Sequence, residues 1–153
     1  MELRLRPAAL GDEQLLLEWR NDEEVRRQFF AGELVTPDEH ARWLRARLAD
    51  PSSVLYIAEV EGAAVGQARV DRTTDGAGEI SVSVAPGQRG RGFGSQLIRL
   101  ASRHALAELD LGEIVAVVKA SNGPSLRAFR AAGFGHDEHA VRDLGPVVVL
   151  RLR

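Results

Sequence analysis

Apolar positions change period several times along the chain, and each change marks an element. Leu3 and Leu5 alternate with charges in Glu2–Arg6, the pattern of an edge-capable strand. Helical spacing follows: Leu15, Leu16 and Trp19 share one face of a helix over Gly11–Trp19. Asn21, with Glu24 three residues on, reads as the cap of a second, short helix whose apolar face starts at Val25. Thr36-Pro37-Asp38-Glu39 supplies cap, first-turn proline and third-position acid for a third helix, with Ala41, Leu44 and Leu48 inward and an end before Asp50-Pro51. Strand patterns then return. Val54–Val60 and Ala63–Asp71 predict a hairpin turning at Glu61-Gly62, and Thr73–Gly78 predicts a loop. Glu79, Ser81 and Ser83 alternate with Ile80, Val82 and Val84, so this strand has one polar and one apolar face. Ala85-Pro86-Gly87 ends it, because proline cannot donate to a ladder. A helix from Gly94 to about Leu109 and a buried strand Glu113–Lys119 come next. Behind the break at Ser121-Asn122-Gly123-Pro124 lies a helix over Ser125–Ala132, with Gly133 at the C′ position and Phe134 able to pack back on Phe129. Phe134–Val141 and Pro146–Arg153 predict a closing strand pair. This order predicts an α/β fold: a mixed sheet with helices on both faces.

Composition narrows the chemistry. At 153 residues the chain is expected to be one domain with room for a real core. A net charge of −2 and a pI near 6.1 argue against a dedicated nucleic-acid binder. The absence of cysteine removes disulfides, thiolate metal sites and an acyl-cysteine intermediate. The N-terminus shows no targeting composition, and no apolar run approaches the 18 or so residues of a membrane span, so a cytoplasmic protein without a membrane partner is expected. His136 and His139 stand three apart in a predicted strand and face opposite sides, so no metal is expected. His104, late in a helix, reads as dipole-stabilised surface.

The candidate chemistry concentrates between the polar-faced strand and the helix behind it: Gln88, Arg89, Gly90, Arg91, Gly92, Phe93 and Gly94. Three glycines at alternate positions permit positive φ and close backbone approach. The helix that follows leaves its first amides unpaired at the positive end of its dipole, and with Arg89 and Arg91 this suits a pyrophosphate. The Gly-Lys-Ser/Thr ending of a Walker loop is missing, and a dinucleotide fingerprint would sit on the first strand of its βαβ unit. The stretch instead resembles the acyl-CoA loop of the GCN5-related N-acetyltransferases (GNAT), Gln/Arg-x-x-Gly-x-Gly/Ala, at Arg89, Gly92 and Gly94. A second motif in the family's order is Asn122-x-x-Ser125-x-x-x-Phe129-x-x-x-Gly133-Phe134. The resemblance covers essentially the whole chain.

The resemblance implies the GNAT fold, a mostly antiparallel mixed sheet of seven strands with helices on both faces. It also implies acetyl transfer from acetyl-CoA directly to a primary amine, without a metal. The co-substrate's pantetheine would lie along the backbone at Val82 and Val84, its pyrophosphate on the loop from Gln88 to Gly94 and Ser95, and its arm near Asn122, Ser125 and Phe129. Glu79 is the base that the resemblance points to. Many members have tyrosine at the position of Phe129, which cannot donate a proton. Either another group or water protonates the sulfur, or the thiolate leaves unaided, which a thiol pKa of about 8.5 makes tolerable.

For the acceptor, Trp19-Arg20-Asn21 with Arg26, and Glu39-His40-x-x-Trp43, resemble the subgroup that acetylates nucleotide-linked amino sugars, as in pseudaminic acid biosynthesis. Arg20 or Arg26 would then meet the diphosphate, an aromatic ring would stack on the base, and His40 would face the sugar amine as a second catalytic candidate. Each residue also has a structural reading: Asn21 as cap, Glu39 in a capping box, Trp19 and Trp43 as core. Two further readings stay open, a ribosomal-protein-type Nα-acetyltransferase and a non-catalytic acetyl-CoA-binding module. A homodimer is compatible with the family.

Overall fold

The computed structural model describes residues 2–28, 33–73, 76–142 and 145–153. Strand β1 is Leu3–Pro7, and a single 3-10 turn at Leu10–Asp12 leads into α1, Glu13–Asn21. Helices α2 (Glu23–Gln28) and α3 (Pro37–Ala49) follow, then the antiparallel run β2 (Ser53–Val60), β3 (Ala63–Arg72) and β4 (Ala77–Val84). Helix α4 (Phe93–Glu108) crosses over to β5 (Glu113–Lys119), and α5 (Gly123–Ala131), β6 (Gly135–Arg142) and β7 (Gly145–Leu152) complete the chain. The seven strands form one sheet in the order β1-β2-β3-β4-β5-β7-β6, antiparallel throughout except for β4 and β5. The α4 crossover is what allows that one parallel neighbour, since a hairpin cannot join parallel strands.

The two faces of the sheet carry two cores. Tyr56, Ala58 and Val60 of β2 point to the face covered by α4 and α5, where Leu97, Ile98, Ala101 and Ile114 are essentially inaccessible. Leu55 and Ile57 of the same strand point to the other face and meet Leu16, Trp19 and Leu44 of α1 and α3. A strand covered on both sides must be apolar at successive positions, which is why β2 reads as an unbroken run.

Several boundaries differ from those expected, for local reasons. Asn21 ends α1, and Asp22 caps α2, accepting a bond from the Val25 amide at 3.1 Å. Thr36 accepts from the Glu39 amide at 3.2 Å, as a cap should. Of the residues expected to face inward on α3 only Leu44 is buried. Leu48 is exposed, and the inner stripe runs through His40, Trp43, Leu44 and Arg47. The expected Thr73–Gly78 loop lies partly outside the described residues, and its last two residues, Ala77 and Gly78, belong to β4. In β6 the pairing slips between Gly135 and Glu138, and His136 has a positive φ of 56°, so regular alternation does not run from His136 to His139. The end of α5 follows the expected motif. Gly133 has φ +100°, its amide bonds Arg130, the Phe134 amide bonds Phe129, and the two phenyl rings meet edge to face at 5.1 Å.

One glycine in the sheet is required by space. A Cβ on Gly66 of β3 would sit 2.7 Å from the Ser83 carbonyl oxygen on β4 and 3.1 Å from Leu97. The backbone atom cannot swing aside. Gly66→Ala is therefore expected to destabilise by about 1–3 kcal/mol, and to displace β4, where Ser83 lines the cavity described below. Urea melts and steady-state kinetics on one preparation check both effects, and a melt unchanged from the parent contradicts the steric account.

Candidate active site

Parallel pairing between β4 and β5 lasts only three positions, Ala77–Glu79 against Glu113–Val115. Past Glu79 the ladder stops and a wedge opens between the strands. The Thr73 amide bonds the Ala77 carbonyl at 2.7 Å, and the Ala85 amide bonds Val65 at 2.8 Å, so odd-numbered residues of β4 face β3. Alternation then closes the last β4–β5 pairing with the Ile80 amide and turns the N–H and C=O groups of Val82 and Val84 into the wedge. The side chains of Val82 and Val84 pack on the α4 face.

The loop from Ala85 to Gly92 lies at the wide end. Gly87, Gly90 and Gly92 all have φ near +80°, and nothing lies within 4 Å of where their Cβ atoms would be. Gly94 differs from the expectation of positive φ: it is an ordinary helical residue, close to Ala128 of α5 and Val84 of β4. The helix opens one residue earlier than expected, at Phe93, which is buried in the core. Gly92 offers no side-chain cap and the first turn holds no acid, so the helix's own first turn leaves the positive end of its dipole uncompensated. Ser95 Oγ donates to the Gly92 carbonyl at 3.3 Å, and Arg91 reaches Gln88 at 3.4 Å. Arg89 pairs with Asp22 at 3.1 Å, which ties this loop to the start of α2. Across the wedge, Asn122 caps α5 through the Ser125 amide at 3.2 Å. Phe129 is a core residue against Phe134 and has no proton to give.

On the opposite face of β3 and β4 is a cavity of about 400 Å³. Helix α1 contributes Leu16, Trp19 and Arg20, and α2 contributes Val25. Helix α3 contributes Glu39, His40 and Trp43, and the sheet floor is Gln67, Arg69, Ser81 and Ser83. The floor follows from register: Gln67 pairs with Ser83 and Arg69 with Ser81, so two polar rows run side by side. Gln67 donates to Ser83 Oγ at 3.0 Å. A polar ladder at the centre of a sheet whose flanks are covered by helices is the signal that could have revealed this floor from sequence.

Of the sequence candidates, Trp19, Arg20, His40 and Trp43 come together here. Asn21 does not line the cavity. Its side-chain amide donates to the Val35 carbonyl and accepts from the Val35 amide, both at 2.8 Å, clamping the chain just before α3. Arg26 is also outside the lining, with Nε on the Asn21 carbonyl at 3.2 Å. Glu79 is exposed at the closed end of the wedge, beyond the cavity floor. Glu39, Gln67, Arg69, Ser81 and Ser83 join the lining in its place.

His40 is the least ordinary group. It is 3 % exposed, its ring lies 5.4 Å from Trp43, and its Nδ1 is enclosed without a hydrogen-bond partner among the described residues. Nε2 is thus the nitrogen left to meet a ligand. Burial pushes its pKa below the ordinary histidine value, and the Arg20 charge adds to this against an opposing pull from Glu13. The imidazole is neutral near pH 7 and can accept a proton. Arg20 is itself lowered by burial and by Arg26. Among the described residues no cluster of three or more His, Asp or Glu could hold a metal ion, and no helix is long and apolar enough to cross a membrane.

Residues 2–135 match the family model described as the acetyltransferase (GNAT) domain. The fold is similar to that of the aminoglycoside acetyltransferase AAC(6')-Ib in complex with coenzyme A, at TM-score 0.85 and 23% identity, over 99% of this chain and 94% of that one. It is also similar to the spermidine N-acetyltransferase from Vibrio cholerae in complex with CoA and spermine, at TM-score 0.89 and 19% identity, over 98% and 94%. At such identities the likeness is one of fold. No curated protein sequence matches the chain.

Proposed function

The chain belongs to the GNAT acetyltransferases, and from that premise we propose that it acetylates a primary amine on a nucleotide-linked amino sugar. Its reaction class is acetyl-CoA-dependent N-acetyl transfer. The observation that carries the acceptor is the charge lining the cavity: among the described residues two guanidiniums, Arg20 and Arg69, the latter held from outside the lining by Asp71, face one carboxylate, Glu39, between two indoles. A polyamine or an aminoglycoside, carrying several positive charges, would meet repulsion there. A diphosphate with a flat base and an amino sugar finds cations and aromatic faces.

Acetyl-CoA fits the residues on the other side of β4. Open space over Gly90 and Gly92, with the acid-free start of α4, admits a pyrophosphate. The wedge-facing backbone of Val82 and Val84 offers an extended arm the hydrogen bonds of a missing strand. The Val84 amide is a donor for the oxyanion that forms when the amine attacks the thioester. The neutral amine attacks the thioester carbon, and His40 takes the proton that the nitrogen sheds as that bond forms, directly or through a water. The sulfur leaves as thiolate, since Phe129 holds no proton.

Thiol release from acetyl-CoA is the direct test, run against UDP-amino sugars, N-terminal peptides, spermidine and aminoglycosides. Turnover is expected with the amino sugars. Turnover confined to peptides would replace this acceptor by a protein N-terminus, and turnover confined to polyamines would refute the charge argument.

A further inference from the structure

We infer that Arg69 is the anion-recognising residue of the acceptor site, binding phosphate oxygens of the amine substrate through its two terminal nitrogens. The inference rests on the reading above that this cavity receives the acceptor. Three guanidiniums lie nearby, and they are not equivalent. Arg26 is outside the lining, and Arg20 extends an Nη to the Glu33 carbonyl at 3.5 Å. Arg69 is on the floor of the cavity. Its Nε donates to Asp71 at 2.9 Å, and its Nη1 and Nη2 have no partner among the described residues.

The head of Arg69 is also fixed in place. Its Cζ lies 5.3 Å from the Trp43 ring centre, over the ring. Stacked on one side and held at Nε, the guanidinium loses little freedom on accepting a bidentate anion. Its charge is not cancelled. Asp71 is shared with Arg47 at 3.0 Å and also accepts from Ser53 Oγ at 2.6 Å, so one carboxylate serves two guanidiniums. Among the described residues Glu39 is the only acid in the lining.

Trp43 sets the spacing as well. The His40 ring and the Arg69 head both sit on this indole, at 5.4 and 5.3 Å from its centre. The His40 ring centre and the Arg69 Cζ are therefore separated by no more than those two distances together. An amino group and a glycosyl phosphate on opposite sides of one sugar ring span such a gap. This makes Arg69 a determinant of specificity, while the chemistry stays with the groups at the amine.

The test is calorimetric titration of uridine diphosphate into protein saturated with CoA, so that the loop at the start of α4 is already occupied. Wild type is expected to bind, and Arg69→Gln to bind at least about tenfold more weakly, the worth of a charge-assisted hydrogen bond, with CoA affinity unchanged. Arg69→Lys keeps the charge but loses the fork, and is expected to fall between the two. It carries the test if Arg69→Gln melts too low to use. Equal binding by wild type and Arg69→Lys together with Arg69→Gln, or no binding by wild type, overturns the inference. Acetyl transfer to UDP-amino sugars is measured separately. Binding that depends on Arg69 without transfer removes the amino-sugar acceptor and leaves the anion site standing.

Discussion

Replacing His40 by glutamine lowers kcat/KM for the amine substrate by about 10²- to 10⁴-fold, the range for losing a positioned general base. The pH profile separates this from a packing defect. In the wild type, log(kcat/KM) falls on the acid side with an apparent pKa below the 6.5 or so of a free histidine, because burial holds His40 neutral. In His40→Gln that limb disappears, while any limb from the amine's own ionisation, at higher pH, stays. Stability follows the same proton with a definite sign. The folded pKa lies below the unfolded one, so between them the unfolded chain binds more protons. The stability that goes with a neutral His40 is fully present above about pH 6.5 and is lost as pH falls from there through the folded pKa. Urea melts across that window show the slope in wild type and a shallower one in His40→Gln. Glu79→Gln is the comparison. Loss of activity and of the acid limb in that variant, with His40→Gln active, transfers the base role to Glu79.

Leu44→Ala costs about 2–5 kcal/mol, the range for emptying a fully buried leucine site. Against the 5–15 kcal/mol of a typical domain this is a large share. The effect also reaches the site. Leu44 is the inaccessible residue of α3, seated on Leu55 and Ile57 of the sheet, and the same helix carries His40 one turn before it and Trp43 beside it. A vacancy under Leu44 loosens the seat of both rings. The urea midpoint is expected to fall with the slope unchanged, and kcat/KM to fall at temperatures well below the melt. A loss under about 1 kcal/mol would mean that α3 is held by other contacts than this one.

What the sequence made legible was whatever its own neighbours determine. Thr36 caps α3 and Gly133 closes α5 because those bonds span three to five residues. The glycine loop before α4 was readable for the same reason. Asn21 was misread because it and Asp22 are both good caps, and where α1 ends depends on burying Trp19. Its true partner, Val35, lies fourteen residues on. Leu48 reads as inward when only the apolar residues of α3 are counted, whereas the buried imidazole of His40 shifts the stripe by part of a turn. Arg69 was missed because its strand alternates like any half-exposed strand. Only the placement of α3 over β3 turns that polar row into the floor of a cavity. The salt bridge from Arg89 to Asp22 spans 67 positions and leaves no local trace.

Strand β4 changes character at Glu79. Its first residues are interior, paired on both sides, and from Ser81 to Val84 it has a ladder on one side only. A bare strand edge is normally a hazard, since another chain can pair with it. Here the bare edge faces β5 inside the seven-stranded sheet, so that the gap it leaves is the width of a single extended molecule and not of a second sheet. Amide exchange should report this directly. In the free protein Val82 and Val84 exchange faster than Ser81 and Ser83, a two-residue rhythm of protection along one strand, and a ligand lying in the wedge flattens that rhythm.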